Sequence, residues 1–347
     1  MKSRKIIAIF TSIILSSSVM VGCSNNKKSS SDNSSEKVYK IGMVTDTGGI
    51  NDESFNQSAW EGLQKFKKDY GDKVDVTYLE SKQDADYVPN IETFIDEDID
   101  LILGVGSNLK SAVESSAKDY PDNKFAIVDE VIDLPNVVSL TFESNVSAYL
   151  TGLIAGKMTK TNKAGFIGGI ESEVISEFEY GYKAGVLTAN PNVELLTQYT
   201  NSYSDSALGK SIANQMHTNG ADVIFTAAGA CGTGAIEAAK ENNKMAIGVD
   251  QDQNYLAPKN VITSAMKNVN VATYNLSKNL IEGKYEGGKT VLNTLSTGGV
   301  GIAPTTKDNV PQDILDYVNQ YEEKIKSGDL KVPDNKGKFE RSFPNHK

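Results

Sequence analysis

The chain is predicted to fold as two α/β lobes, each a doubly wound parallel sheet, joined by crossovers around a ligand cleft. Three observations carry this expectation. From Val38 onward, short runs rich in β-branched residues alternate with longer stretches of helical period. The series runs once to about Thr159 and starts again at Ala164. A third helix-then-strand segment, Val271–Gly283 and Val291–Leu295, is too short for a lobe of its own and is expected to cross back and complete both sheets. Such alternation argues for parallel strands covered by helices on both faces.

In the first series the strand candidates are Tyr39–Val44, Val74–Leu79, Leu101–Val105, Phe125–Val128 and Val137–Leu140, with helices at Phe55–Tyr70 and Leu109–Tyr120 and a further helix around Val146–Thr159. In the second they are Ala164–Ile167, Val193–Gln198, Val223–Thr226, Ala246–Val249 and Val261–Ser264. Helices are expected near Glu177–Thr188, Ser206–Thr218 and Gly234–Asn242. The terminal stretch Pro311–Ser327 places Ile314, Leu315, Val318, Tyr321 and Ile325 on one helical face. The expected division is 38–160 plus 268–286 for the first lobe, 161–267 plus 287–330 for the second, and 331–347 as a C-terminal tail.

The N-terminus reads as an address. Lys2, Arg4 and Lys5 precede an apolar run, Ile6 to Leu15, then the small-residue approach Met20-Val21-Gly22 and Cys23. This is the layout of a secretory signal over residues 1–22, and the run is too short to span a bilayer comfortably. A cysteine at that point resembles the lipobox of bacterial lipoproteins, with Met20 where leucine is more usual. The resemblance implies acylation of Cys23, palmitate included, and a chain anchored on the extracytoplasmic face of the cell membrane. Ser24 to Lys37 are almost wholly Ser, Asn, Lys, Asp and Glu, which suits a flexible spacer over 23–37.

Composition narrows the function. A net charge of -10 leaves no basic stripe to neutralise phosphates, so nucleic acid is not an expected partner. With Cys23 acylated, Cys231 has no disulfide partner, and His217 and His346 alone offer little for zinc. No metal or cofactor is expected. Gly229-Ala230-Cys231-Gly232-Thr233-Gly234 lies where a phosphate loop would, yet has neither the G-x-G-x-x-G order nor a G-K-[ST] ending. Cys231 has no histidine placed to activate it and reads as a small buried thiol.

The unusual residues fall at strand ends, where open α/β sheets bind ligands. The loop after the first strand runs Thr45-Asp46-Thr47-Gly48-Gly49-Ile50-Asn51-Asp52-Glu53-Ser54-Phe55-Asn56. Asp52 or Ser54 can cap the following helix. Phe55, Asn56 and Asp46 together suit a flat polar heterocycle: a ring to stack, an amide offering donor and acceptor, and a carboxylate to accept N–H groups. The same pattern also fits a core phenylalanine beside a loop acid. Asp250, after Ala246–Val249, is either a helix cap or an acceptor for two neighbouring hydroxyls. Asp129, after Phe125–Val128, is a second acid facing the cleft.

The segment DTGGINDESFNQSAWEGL resembles the signature of the basic membrane protein family, lipoproteins similar to the purine nucleoside receptors of ABC importers. The resemblance continues through TFESNVSAYLTGLIAGKMTK, KAGFIGGIESEVISEFEYGYKAGV, ADVIFTAAGACGTGAIEAA, MAIGVDQDQNYLAP and VITSAMKNV, and covers nearly all of Val38 to Val300. It implies a type I periplasmic-binding fold without catalysis. It further implies stacking by Phe55 and Tyr203, base recognition by Asp46 and Asn56, and ribose contacts from Asp250 and Lys267 with Gly229 admitting close backbone. Tyr203 stands where phenylalanine is more usual, so its hydroxyl needs a partner. The ligand implied is a purine nucleoside (adenosine, guanosine or inosine), delivered to the permease and ATPase subunits of an ABC importer. A sugar or signal-molecule receptor of the same fold would keep Asp250 without the paired rings. A nucleoside-cleaving enzyme would use the acids near the ribose in catalysis.

Overall fold

The computed structural model describes residues 37–346. The first series supplies β1 (Tyr39–Thr45), α1 (Phe55–Tyr70), β2 (Val74–Leu79), α2 (Tyr87–Asp96), β3 (Leu101–Val105), α3 (Lys110–Asp119), β4 (Phe125–Val128) and β5 (Val137–Phe142). A crossover leads to α4 (Ser144–Met158). The second series then gives β6 (Lys163–Gly168), α5 (Glu173–Ala189), β7 (Glu194–Tyr199), α6 (Ser206–Thr218), β8 (Val223–Ala227), α7 (Ala230–Glu241), β9 (Met245–Asp250) and β10 (Val261–Lys267). The chain closes with α8 (Val269–Ile281), β11 (Lys289–Asn293), β12 (Val300–Ile302), α9 (Thr306–Asn309), α10 (Gln312–Lys326) and α11 (Lys336–Ser342).

The strands form two six-stranded sheets with matching orders, β11-β5-β4-β3-β1-β2 and β12-β10-β9-β8-β6-β7. Both are parallel except where β12 runs antiparallel to β10. Strands β3, β4 and β8 are buried along their whole length, which is why they read as unbroken apolar runs, LILGV, FAIV and VIFTA. This is the expected pair of doubly wound lobes.

The boundaries between lobes differ from expectation. After the fifth strand of each series the chain turns at Glu143 (φ -78°, ψ 62°) or Asn268 (φ -77°, ψ 63°), the same inverse γ-turn at both crossovers. Each following helix crosses to the opposite sheet. Helix α4, expected with the first lobe, packs on α5 and β10 of the second, while α8 packs on α1 of the first. Val146, Tyr149, Leu150, Leu153 and Ile154 form one apolar stripe of α4, and the small residues behind it, Ser147, Ala148, Thr151, Gly152 and Ala155, are buried too, so the helix is covered on every side. The α4–α5 seam is close enough that a Cβ on Gly185 would lie 2.1 Å from the Tyr149 carbonyl oxygen.

The segment from 287, expected on the second lobe, begins by adding β11 to the first sheet, pairing Lys289↔Val138 through Asn293↔Phe142. Because α8 already sits on that lobe, the short turn after it reaches only the nearer sheet edge. β12 then completes the second sheet. The three crossovers are tied together: Glu143 N donates to Asn293 O at 3.0 Å, and Asn268 N donates to Gly299 O at 2.9 Å. The expected tail contains α11, whose Phe339 is only 3% exposed and meets the Tyr180 ring at 5.5 Å. Val332 is buried as well, and its carbonyl oxygen accepts from Asn145 Nδ2 at 2.9 Å, so the segment is held at more than one point.

Candidate ligand-binding cleft

The eight residues singled out in the sequence line one cavity between the lobes, with roughly 510 Å³ of empty space partly open to solvent. Asp46, Phe55, Asn56 and Asp129 come from the first lobe; Tyr203, Gly229, Asp250 and Lys267 come from the second. All stand at or just beyond the carboxyl ends of strands, and the space falls in the range of small-molecule sites.

The β1–α1 loop is built around Asp52. Its carboxylate accepts from the backbone N–H groups of Ser54 (3.0 Å), Asn56 (2.8 Å) and Gln57 (3.1 Å), so Asp52 caps the helix. Ser54 is thereby free to cross the cleft, and its hydroxyl donates to Asp250 Oδ2. Asn56 Nδ2 donates to Asp46 Oδ1 at 2.8 Å and Asp52 Oδ2 at 3.1 Å. An unrestrained amide turns either its donor or its acceptor to a ligand. Two carboxylates hold its NH₂ instead, since a flip would set oxygen against oxygen. Asn56 Oδ1 is left buried with no protein partner, an acceptor awaiting a donor.

Lys267 is not a solvated lysine. It is 1% exposed, paired with Asp129, and its Nζ lies 4.4 Å from the centre of the Phe55 ring and 5.3 Å from that of Phe142. Phe55 is half-buried at the head of α1 with its ring towards this ammonium, so it is not a core residue. Asp129 (φ 71°) and Asp250 (φ 65°) end the equivalent strands of the two sheets, both in left-handed backbone that asparagine and aspartate tolerate best.

Burial dominates the electrostatics. It pushes Asp250 up to about 7, with Lys267 and the Ser54 hydroxyl pulling back. It pushes Asp46 up to about 6 against the hydrogen bonds from Asn56 and Gly48. Asp129 is also raised by burial, and the Lys267 ammonium offsets part of this. Glu177 in α5 reaches about 8, through burial and then the charge of Asp129. The buried Lys267 ammonium thus offsets burial at Asp129, Asp250 and Glu177, while Asp46 has only its hydrogen bonds to do so.

The Tyr203 hydroxyl finds its partner in the Ile170 carbonyl oxygen at 3.3 Å. Gly229 (φ 54°) lines the cavity, and a Cβ there would lie 3.0 Å from the Tyr203 carbonyl oxygen, so its smallness also seats the Tyr203 loop. The sequence reading missed Ser172, Val174 and Ile175 of the lining because it began α5 at Glu177, and it did not single out Phe178 within the expected helix. The cap signal was available: Ser172 accepts from Ile175 N at 3.3 Å. Cys231 is buried, its thiol donating to Ser202 O at 3.2 Å.

Two like lobes hinged by three crossovers over an interlobe cavity define a bilobed substrate-binding protein. The comparisons agree. The family model described as ABC transporter substrate-binding protein PnrA-like (Bmp) matches residues 39–336, and the chain belongs to this family. It is 42% identical to the CD4+ T-cell-stimulating antigen of Listeria innocua serovar 6a, over 95% of this chain and 99% of that protein. It is 38% identical to the ABC transporter nucleoside-binding protein BmpA of Lactococcus lactis subsp. cremoris, over 95% and 99%. To basic membrane protein A of Borreliella burgdorferi it is 37% identical, over 95% and 96%. Among solved structures, the ABC transporter solute-binding protein of Aeropyrum pernix K1 matches with a TM-score of 0.81 at 26% identity, covering 89% of this chain and 97% of that one.

Proposed function

We propose that this chain captures purine nucleosides, with adenosine, guanosine and inosine as candidates, and delivers them to the permease and ATPase subunits of an ABC importer. Cys23, outside the described residues, would carry the acyl anchor and hold the chain on the extracytoplasmic face of the membrane. The observation that carries the reading is the unpaired Asn56 Oδ1 beside Asp46, flanked by Phe55 and Tyr203. Two acceptors side by side ask for N–H donors on one edge of a flat ring: guanosine offers its N1–H and N2–H₂ there, adenosine the two hydrogens of its 6-amino group, and inosine a single N1–H. Asp250 then accepts from ribose hydroxyls, and Lys267, held by Asp129, contacts the sugar. The Lactococcus relative bears a nucleoside-binding name, in line with this.

Mass spectrometry of small molecules released on denaturing the purified protein, followed by calorimetry with adenosine, guanosine, inosine, adenine and ribose, tests the reading. Nucleosides should bind far more tightly than adenine or ribose alone. A released sugar or signal molecule, with no heat from any nucleoside, would overturn it.

A further inference from the structure

The lobes meet at a lip where none of the residues line the cavity. Gln253 follows β9 and is 1% exposed. Its Oε1 accepts from Val249 N at 3.0 Å, and its own N–H donates to Ser264 Oγ at 3.1 Å, fastening it to two strands of the second sheet. A Cβ on Gly248 would lie 2.5 Å from that Oε1, so a glycine leaves the room it needs. From this anchor Gln253 Nε2 reaches across and donates to the Glu53 carbonyl oxygen of the β1–α1 loop at 2.6 Å. Tyr255 is 53% exposed, yet its hydroxyl donates to the Glu53 carboxylate. Glu53 itself has φ 53°, unfavourable for a residue with a Cβ and held only where its surroundings determine it.

We propose that Gln253 and Tyr255 are positioning residues for ligand retention. Through Glu53 they clamp the loop that presents Phe55 and Asn56, and so set how fast ligand leaves. The geometry supports this in three ways. Glu53 lies between Asp52, which organises the loop, and Ser54, which donates to Asp250. Separating the lobes breaks the Gln253, Tyr255 and Ser54 contacts together, because all three cross the same lip. The crossovers at Glu143 and Asn268 are tied by backbone bonds of their own, to Asn293 and Gly299, that involve none of Glu53, Ser54, Gln253 and Tyr255. These contacts are made in the structure and must part before a ligand can leave, so loosening them speeds departure.

The choice of probe rests on the nucleoside reading, so the experiment has a readout that needs no ligand. Hydrogen exchange of the ligand-free full chain in detergent is measured at the Ser54–Gln57 amides for wild type, Gln253→Leu, Tyr255→Phe, Glu53→Ala and Glu53→Gln. The dissociation rate of adenosine is measured on the same proteins by stopped flow. Exchange should quicken in that loop, and not in β6 or β8, for the Leu, Phe and Ala variants. Adenosine should leave about three- to tenfold faster with its association rate unchanged, as loss of one net hydrogen bond implies. Glu53→Gln keeps an acceptor for Tyr255 and should behave as wild type. Should Gln253→Leu fail to fold, Tyr255→Phe and the Glu53 pair decide. If adenosine does not bind, the nucleoside reading fails and loop exchange alone judges the clamp. Unchanged loop exchange in Tyr255→Phe and Glu53→Ala overturns it.

Discussion

Replacing Asp250 by asparagine should stabilise the ligand-free protein at alkaline pH while weakening its hold on ribose. Asparagine keeps the shape, offers Ser54 an acceptor and tolerates the φ of 65°, where alanine would add backbone strain. The folded carboxyl lies at about 7 against an ordinary 3.8, chiefly through burial. A raised acid favours folding in its protonated form, so its contribution is complete below about pH 4 and is lost as pH rises through the folded value. Between pH 5 and pH 8 the loss from a shift of 3.8 to about 7 is roughly 2–3 kcal/mol. The substituted amide does not titrate. Asp46 and Glu177 also titrate, but they do so in both proteins and cancel in the difference. The melting temperature of D250N should therefore gain on wild type as pH rises from 5 to 8, by about 2 °C per kcal/mol in a chain of this size. Affinity should move the other way: adenosine binding should fall by about 1–3 kcal/mol, and the preference over 2′-deoxyadenosine should shrink. Thermal melts of ligand-stripped protein at four pH values, with calorimetry of both nucleosides, provide the measurement. Parallel melting curves across the pH range would refute the claim that this carboxylate is costly to bury.

Phe55→Ala should cost about 1–3 kcal/mol of adenosine affinity by calorimetry, as loss of base stacking does elsewhere. Because its ring faces Lys267 and the cavity, the melting temperature should change little; a large drop with affinity retained would return Phe55 to the core. Gly185→Val should destabilise by at least about 1–3 kcal/mol in urea unfolding, since even a Cβ meets the Tyr149 carbonyl oxygen at 2.1 Å. Cys23→Ala should move the protein from the membrane to the soluble fraction, and unchanged membrane association would rule out the acyl anchor.

Local pattern was enough for β1 to β10, the repeat of the series and the acids at strand ends, whereas β11 begins two residues earlier than expected and β12 was not foreseen. A parallel strand covered on both sides must be an apolar run, and the carboxyl end of such a strand must meet a loop, so Asp129 and Asp250 were legible without coordinates. The loop from Asp46 to Asn56 announced itself by the density of polar groups just before a helix. Helix α4 also carried its signal, for an apolar stripe backed by small residues can be enclosed on every side, but nothing in its residues says by which lobe.

What the chain could not declare in one dimension were contacts between distant residues that depend on how the lobes face each other. The Asn56 amide is a local case by contrast, its orientation decided by two carboxylates of its own loop, four and ten residues away. The pairing of Lys267 with Asp129, 138 positions apart, makes this lysine, given a sugar contact in the sequence only by resemblance, the buried cation of the site. Gln253 meets Glu53 across 200 positions, and neither side chain is exceptional where it stands in the sequence. The raised Asp250 and Asp46 follow the same logic, because a carboxyl's cost of ionisation is set by the water it loses and the charges brought near it. Both are properties of the closed space between lobes, and that space exists only once the crossovers have brought the two sheets together.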